Sequence, residues 1–231
     1  YEKMNLTPLK RLVNLRMRIF SNLEGFTDCV TLPKSVQTLD IHLHSPSRLP
    51  PAETLPGPGP VSLNSFHKQW EKLSSLQSLN LTLYGNEVFW EKSIKVFRSI
   101  FEKISGLSSL NLKMEYRYDL LSSRYNMVIP AEPLKISSCF TRQGLENLSS
   151  TLKSLSIYFE RIHVTSDTDS DIFKKLKNLS SLKINTVKLG SSVAAKILRS
   201  CSSNMDFGII HITSLDESLS FLKQIKGVKP G

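Results

Sequence analysis

Leucine-like residues recur at alternate positions in six stretches of the chain, with polar residues between them. Leu79, Leu81 and Leu83 illustrate the spacing. Because successive side chains of a strand point to opposite sides, this alternation predicts a short strand with one apolar face. The first apolar residue of each stretch is taken as its anchor, and the anchors are Leu15, Leu39, Leu79, Leu110, Leu155 and Leu182. A seventh, degenerate copy is expected in residues 205–212.

Stretches with the period of a helix separate these strands. In residues 90–104, Ile94, Phe97 and Ile100 fall on one face of the predicted helix. The helical stretches are 65–76, 90–104, 170–179 and 191–201. Neither a strand nor a helix of this kind buries its apolar face alone, so stacked strand–helix units with a continuous core are expected. A doubly wound α/β domain also alternates strands and helices, but the recurrent LSSL or LSSTL before the strands favours a repeat.

The best copy of the repeat, residues 73–86 with the sequence LSSLQSLNLTLYGN, resembles the leucine-rich-repeat pattern LxxLxxLxLxxN. Leu73, Leu76, Leu79 and Leu81 occupy the leucine positions, and Asn86 lies two residues beyond the asparagine position. The other copies generally lack the asparagine, as is typical of a divergent, irregular intracellular class. The resemblance implies an α/β solenoid, with a curved parallel sheet on the concave side and helices on the convex side. Divergent arrays of this type serve as substrate receptors in ubiquitin ligases, as sensors and as effectors.

Two long insertions interrupt the repeat. Residues 45–62 contain six prolines and two glycines, so we expect an exposed, extended loop that acts as a spacer. Residues 119–140 form a second long connection. We expect residues 1–231 to be a single leucine-rich-repeat-like domain and a fragment of a longer protein, since the chain begins at Tyr1 without an initiator methionine.

The net charge of +10 favours acidic partners, including nucleic acid, anionic membranes and acidic protein surfaces. Many of the lysines lie in the predicted helices rather than between the strand leucines. A nucleic-acid or ribonucleoprotein scaffold that uses these Lys-rich helices is therefore the alternative function, but a reader of specific sequence would concentrate its basic residues in one stripe. No apolar run is long enough to span a membrane, so no membrane partner is expected.

Few residues suggest chemistry. The cysteines Cys29, Cys139 and Cys201 form no CxxC pair, which favours buried thiols and an intracellular location, cytoplasmic or nuclear. His42 and His44 share a strand face and could hold a metal, but no third ligand lies nearby in the sequence. The chain lacks the motifs of phosphate-binding loops, dinucleotide sites, zinc proteases and serine hydrolases. We expect no catalytic residues, no metal and no cofactor.

The polar positions between the strand leucines predict the binding surface. They are Arg16, Arg18, Asp40, His42, Asn80, Thr82, Tyr84, Asn111, Lys113, Ser156, Tyr158 and Lys183. Tyrosine and arginine are enriched at binding hot spots, although every solenoid also has a solvated face. The sequence therefore predicts a non-catalytic interaction module that binds a protein ligand through its concave strand face, as a substrate receptor or sensor.

Overall fold

The computed structural model describes residues 4–19, 30–44, 70–85, 94, 97–116, 136–164, 172–189, 196–197 and 206–209. The strands are β1 (Met4–Asn5), β2 (Asn14–Ile19), β3 (Val30–Thr31), β4 (Thr38–His44), β5 (Ser78–Gly85), β6 (Ser109–Tyr116), β7 (Ser154–Val164), β8 (Ser181–Leu189) and β9 (Asp206–Ile209). Helix α1 spans Arg142–Ser149, and a 3-10 helix spans Ile136–Cys139. Helical backbone is also found at residues 70–71, 94, 97–103, 172–175 and 196–197.

Seven of these strands form one parallel sheet in the order β2-β4-β5-β6-β7-β8-β9. Each strand therefore pairs with the next strand of the same sheet along the chain, and β1 and β3 form a separate two-stranded parallel sheet. Parallel neighbours need a crossover connection, which accounts for the helical residues between them. The prediction of an α/β fold with a parallel sheet is confirmed.

The anchors of the sequence pattern are paired across this sheet. Leu39 pairs with Leu79, and Leu79 pairs with Leu110. The same register continues through Leu155 and Leu182. The degenerate copy supplies β9, whose Phe207 pairs with Leu182. One register of apolar positions thus crosses the whole sheet.

Two hydrogen bonds recur where each strand begins. The carbonyl of Gln37 accepts from the backbone N–H groups of Gln77 at 2.8 Å and Ser78 at 2.9 Å. The corresponding carbonyls, each two residues before an anchor, make the same pair of bonds; they are those of Val13, Gln77, Ser108 and Lys153. A shared carbonyl of this kind fixes the start of one strand against the start of the preceding strand, and we call it the shared-carbonyl joint.

An LxxL segment forms the turn before a strand, and it reads LSSL at 73–76 and LKNL at 176–179. The N–H of Leu76 donates to the carbonyl of Leu73 at 3.0 Å, and the N–H of Leu179 donates to the carbonyl of Leu176 at 3.2 Å. Before β7 the sequence is LSSTL, and Leu152 N–H reaches the Leu148 carbonyl at 2.9 Å. The additional threonine thus enlarges the turn by one residue and leaves the register of the strand unchanged.

The core lies between the sheet and the helical residues. Inward side chains of the central strands, such as Leu79 and Leu110, are at most 1% exposed. They belong to one cluster with helical residues such as Phe97 and Phe101. The matching side chains of β2 are only half-buried. The core is thus densest in the middle of the described sheet.

Helix α1 was not predicted from the sequence. Its N-cap is Thr141, whose hydroxyl accepts from the Gly144 N–H at 3.1 Å. Leu145 and Leu148 face the core. A Cβ added at Gly144 would lie 3.1 Å from the Phe101 Cβ, so the glycine lets α1 approach the preceding helical segment closely. The predicted helix at 65–76 was too long, because helical backbone ends at Glu71 and a turn follows.

The insertions are described only in part. Residues 45–62 lie outside the described residues, as do 119–135. The end of the second insertion contains the 3-10 helix Ile136–Cys139, and the Phe140 ring stacks on the Phe101 ring with centroids 5.2 Å apart. Cys139 is buried and belongs to no disulfide, whereas Cys29 and Cys201 lie outside the described residues.

Candidate binding face of the sheet

The predicted site residues lie in rows that cross the sheet. One row contains Arg16, Asp40, Asn80, Asn111, Ser156 and Lys183. The next contains Arg18, His42, Thr82, Lys113 and Tyr158, and Tyr84 lies in a third row between His44 and Glu115. These rows alternate with the buried rows of the anchors, so they occupy the opposite side of the sheet. We call this surface the strand face.

Exposure differs along the strand face. Arg16, Arg18 and Lys183 are exposed, and most of the other predicted residues are half-buried. Thr82 is only 6% exposed, because its short side chain lies between the longer His42 and Lys113 in the same row. The exposed area at the centre of the face therefore comes from its neighbours rather than from Thr82.

A charged cluster occupies the β2 end of the strand face. Arg16 Nε lies 3.1 Å from Asp40 Oδ2, and His42 Nε2 lies 3.2 Å from Asp40 Oδ1 and 3.3 Å from Arg16 Nη2. In a neutral ring, Nε2 either donates to Asp40 or accepts from Arg16, so the tautomer selects one of the two bonds. The Arg16 side chain remains 71% exposed. The guanidinium is thus oriented by Asp40 and open to a ligand.

Next to this cluster, three rings stack across β4 and β5. The His44 and Tyr84 rings are 4.4 Å apart between centroids with an 11° angle between planes. The His42 ring lies 6.2 Å from the Tyr84 ring between centroids, with a 19° angle between planes. Stacking restricts the Tyr84 side chain before any ligand arrives, which lowers the conformational entropy that binding would remove.

A second charged group lies on β6 and β7. Lys113 Nζ lies 5.0 Å from the centroid of the Tyr158 ring and 2.5 Å from Glu115 Oε1. The hydrogen bond to Glu115 raises the pKa of Lys113, partial burial opposes this effect, and the charge of Glu115 adds to it. Lys113 therefore remains a cation at neutral pH and holds Tyr158 through a cation–π contact.

Two cations of the strand face are left without a described counter-ion. Arg16 and Lys113 form ion pairs, whereas Arg18 and Lys183 have no carboxylate partner among the described residues. They lie on β2 and β8, so open positive charge is found towards both ends of the face.

Lysines away from the strand face carry much of the remaining charge. Lys72, Lys103, Lys174, Lys175 and Lys177 are exposed in or beside the helical segments. Lys103 Nζ lies 3.0 Å from Glu71 Oε1. Lys68, Lys92 and Lys95 lie outside the described residues. The basic surface is therefore spread over the helical side.

Two asparagines of the NLSS segments have contacts that the sequence did not predict. Asn147 Nδ2 donates to the carbonyls of Glu102 at 2.7 Å and Phe101 at 3.3 Å. Asn178 Nδ2 donates in the same way to the carbonyls of Ser150 at 2.7 Å and Ser149 at 3.3 Å. Carbonyls at a helix end lack partners within the helix. The side-chain amide of one unit thus caps the helical segment of the unit before it. The repeated NLSS sequence was the feature that could have pointed to these contacts.

Among the described residues, no group of three or more histidines, cysteines and carboxylates lies close enough to hold a metal ion. His42 and His44 do share the strand face, where both stack against Tyr84. In the same part of the chain, no helix has the length and apolar character needed to cross a membrane.

Comparison of the sequence with protein-family models and with curated proteins finds no match.

Proposed function

We propose that the chain is a leucine-rich-repeat-like solenoid that binds a protein ligand through the strand face. The observation that carries this proposal is the pairing of the strands. It lines up the polar residues of β2 and of β4 to β8 in rows that cross the sheet. Six parallel strands spaced about 4.8 Å apart present a surface roughly 24 Å wide. A surface of that width is suited to several side chains of a protein partner rather than to one small molecule.

The solenoid interpretation is supported by the repetition of backbone contacts. The shared-carbonyl joint recurs at five successive strand pairs with distances of 2.8 to 3.0 Å. Similar units that contact chiefly their neighbours are what a repeat array consists of. The divergence from the standard repeat is explained in part by Asn147 and Asn178, which satisfy carbonyls on the helical side instead of at the turn after the strand.

The chemistry of the strand face favours a ligand with carboxylates and apolar groups. Arg18 and Lys183 provide open cations, and Tyr84 and Tyr158 provide aromatic surface held by neighbouring side chains. Tyrosine and arginine dominate the energetics of many protein interfaces. We therefore infer a protein partner with an acidic surface and a non-catalytic role, such as substrate receptor or sensor in a larger protein. The burial of Cys139 outside any disulfide is consistent with an intracellular location.

The test begins with capture by the whole chain, identification of the partner and a titration with the purified partner. Tyr84→Ala and Tyr158→Ala should each weaken binding by about tenfold or more, and Arg18→Ala by several fold. Arg98→Ala is the matched control, because it removes an exposed arginine from a helical segment. Equal affinity in all four variants would contradict binding through the strand face.

The alternative, nucleic-acid binding by the Lys-rich helical side, predicts a different result. Affinity would then fall steeply with salt concentration, because bound counter-ions are released from the phosphates. Lys174→Ala and Lys175→Ala would weaken binding more than Tyr84→Ala. A protein ligand on the strand face predicts the reverse order.

A further inference from the structure

A basic cleft lies outside the strand face, on the loops that precede β2, β4 and β5. Its lining includes Lys10, Lys34 and Lys72, which are exposed. Leu32 and Pro33, both buried, supply an apolar part of the lining. The cleft therefore combines three ammonium groups with an apolar patch.

The repeat brings the lysines together. Lys10 and Lys34 each lie five residues before an anchor, Leu15 and Leu39 respectively, and these two anchors are paired. Neighbouring strands lie about 4.8 Å apart, so the segments that lead into β2 and β4 lie beside each other. Lys72 comes from the next unit, which carries β5. Three successive units thus contribute one lysine each to the same cleft.

No carboxylate neutralises this cluster within the described residues. Glu71 adjoins Lys72 in the chain, but its Oε1 lies 3.0 Å from Lys103 Nζ. None of Lys10, Lys34 and Lys72 has a described ion pair. Like charges in one cleft repel one another, so a bound anion would lower the free energy of the folded cleft.

We propose that this cleft binds a small molecule that carries two or more phosphate groups. The three ammonium groups, together with the hydroxyls of Thr31 and Ser75 in the lining, supply more donors than a single carboxylate can use. Phosphates offer several oxygens and more charge per group. The apolar patch at Leu32 and Pro33 would contact the body of such a ligand.

A small ligand fits better than a nucleic-acid strand because the lysines at the position of Lys10 and Lys34 do not continue into the next units. At the position of Lys10 and Lys34, the next three units carry Ser74, Ser105 and Ser150. A lysine returns there only at Lys177, in the unit of β8. At the position of Lys72, lysines recur as Lys103 and Lys175, but Lys103 is paired with Glu71. The three lysines of the cleft therefore form a local group instead of a continuous stripe.

The test is calorimetric titration of the whole chain with inorganic tripolyphosphate at low ionic strength. Each of Lys10→Ala, Lys34→Ala and Lys72→Ala should weaken binding by about three- to fivefold, as expected for exposed ion pairs. The triple variant should lose roughly 30-fold or more, the approximate product of the single losses. Lys177→Ala is the matched control, because it removes the same charge from the same unit position outside the cleft, and it should leave affinity within about twofold.

A second readout is thermal unfolding. Tripolyphosphate should raise the Tm of the wild type and of Lys177→Ala, but not that of the triple variant. If the triple variant does not fold, the single variant Lys34→Gln replaces it in this comparison. Tripolyphosphate should then raise the Tm of Lys34→Gln less than that of the wild type. Absence of binding to the wild type would overturn the proposal, and so would an equal loss in Lys177→Ala.

A competing single-stranded oligonucleotide separates this ligand class from nucleic acid. Tighter binding of the oligonucleotide, reduced equally by Lys177→Ala and Lys34→Ala, would also overturn the proposal. Tyr84→Ala on the strand face should not change tripolyphosphate binding. Failure of the cleft proposal is therefore distinguishable from failure of the proposed protein-binding function.

Discussion

The first and the central strands of the sheet share a sequence pattern but not an environment. In β5, Leu79 and Leu83 are 0% exposed, whereas Leu15 and Ile19 of β2 are only half-buried. β5 has a paired strand on each side, while β2 is the first strand in the order and, among the described strands, pairs only with β4. The difference teaches that a leucine in this repeat is fully buried only when a neighbouring unit lies on each side of its own.

Truncation of a central anchor should have the largest effect. Leu79→Ala should reduce the free energy of unfolding by about 3 kcal/mol, because it removes a fully buried side chain and leaves a cavity among packed neighbours. Urea unfolding followed by circular dichroism measures this loss.

Leu15→Ala is the matched variant at the paired position of the first strand. It should cost about 1 kcal/mol, because less apolar surface is buried there and solvent reaches the site. Equal losses in Leu15→Ala and Leu79→Ala would contradict the contrast between the two strands.

The amide cap between later units should have an intermediate effect. Asn147→Ala leaves the carbonyls of Phe101 and Glu102 without their side-chain donor, and should cost about 1–2 kcal/mol in urea unfolding. Asn147→Asp keeps the shape but removes the N–H groups, so a similar loss is expected. Asn111→Ala on the strand face is the control, and a loss there as large as in Asn147→Ala would argue against the cap.

The ion pairs of the strand face should have the smallest effect. Glu115→Gln should lower stability by at most about 0.5 kcal/mol, because the pair with Lys113 is partly exposed and screened. Since the folded-state pKa of Lys113 is raised, this contribution is complete below the ordinary lysine pKa of 10.5 and is lost as the pH rises through the raised value.

Unfolding of the wild type and of Glu115→Gln should therefore converge above that pH. Asp40→Asn, which disrupts the pair with the more exposed Arg16 at the β2 end, should change stability no more than Glu115→Gln does. A difference between wild type and Glu115→Gln that persists at high pH would contradict the role of the ion pair.

The strands could be predicted because their pattern is local. The alternation of apolar and polar residues placed Leu39, Leu79 and Leu110 at the start of the apolar face of their strands. The similarity of the repeat copies indicated that these anchors lie side by side on neighbouring strands. The twelve predicted site residues followed from the same alternation, and all lie on the side of the sheet opposite the anchors. Their role in binding stays a prediction.

Other features depend on contacts between units that no single segment reveals. Helix α1 contains Gly144 and Asn147, which are poor helix formers, and its contacts with Phe101 and Glu102 explain why they are used. The stacking of Tyr84 on β5 against His42 and His44 on β4 requires two strands. Thr82 was expected to be an open contact residue, but its neighbours in the row cover it.

The shared-carbonyl joint has a consequence for how connections between strands can vary in length. In each joint, the N–H groups of the two residues that precede an anchor donate to one carbonyl of the preceding unit. The chain between joints can therefore grow or shrink without displacing the ladder, and the entropy of closing a longer loop rises only slowly with length. Such an architecture tolerates insertion: a foreign peptide grafted into residues 45–62 would be carried by the sheet while Leu39 and Leu79 stay side by side.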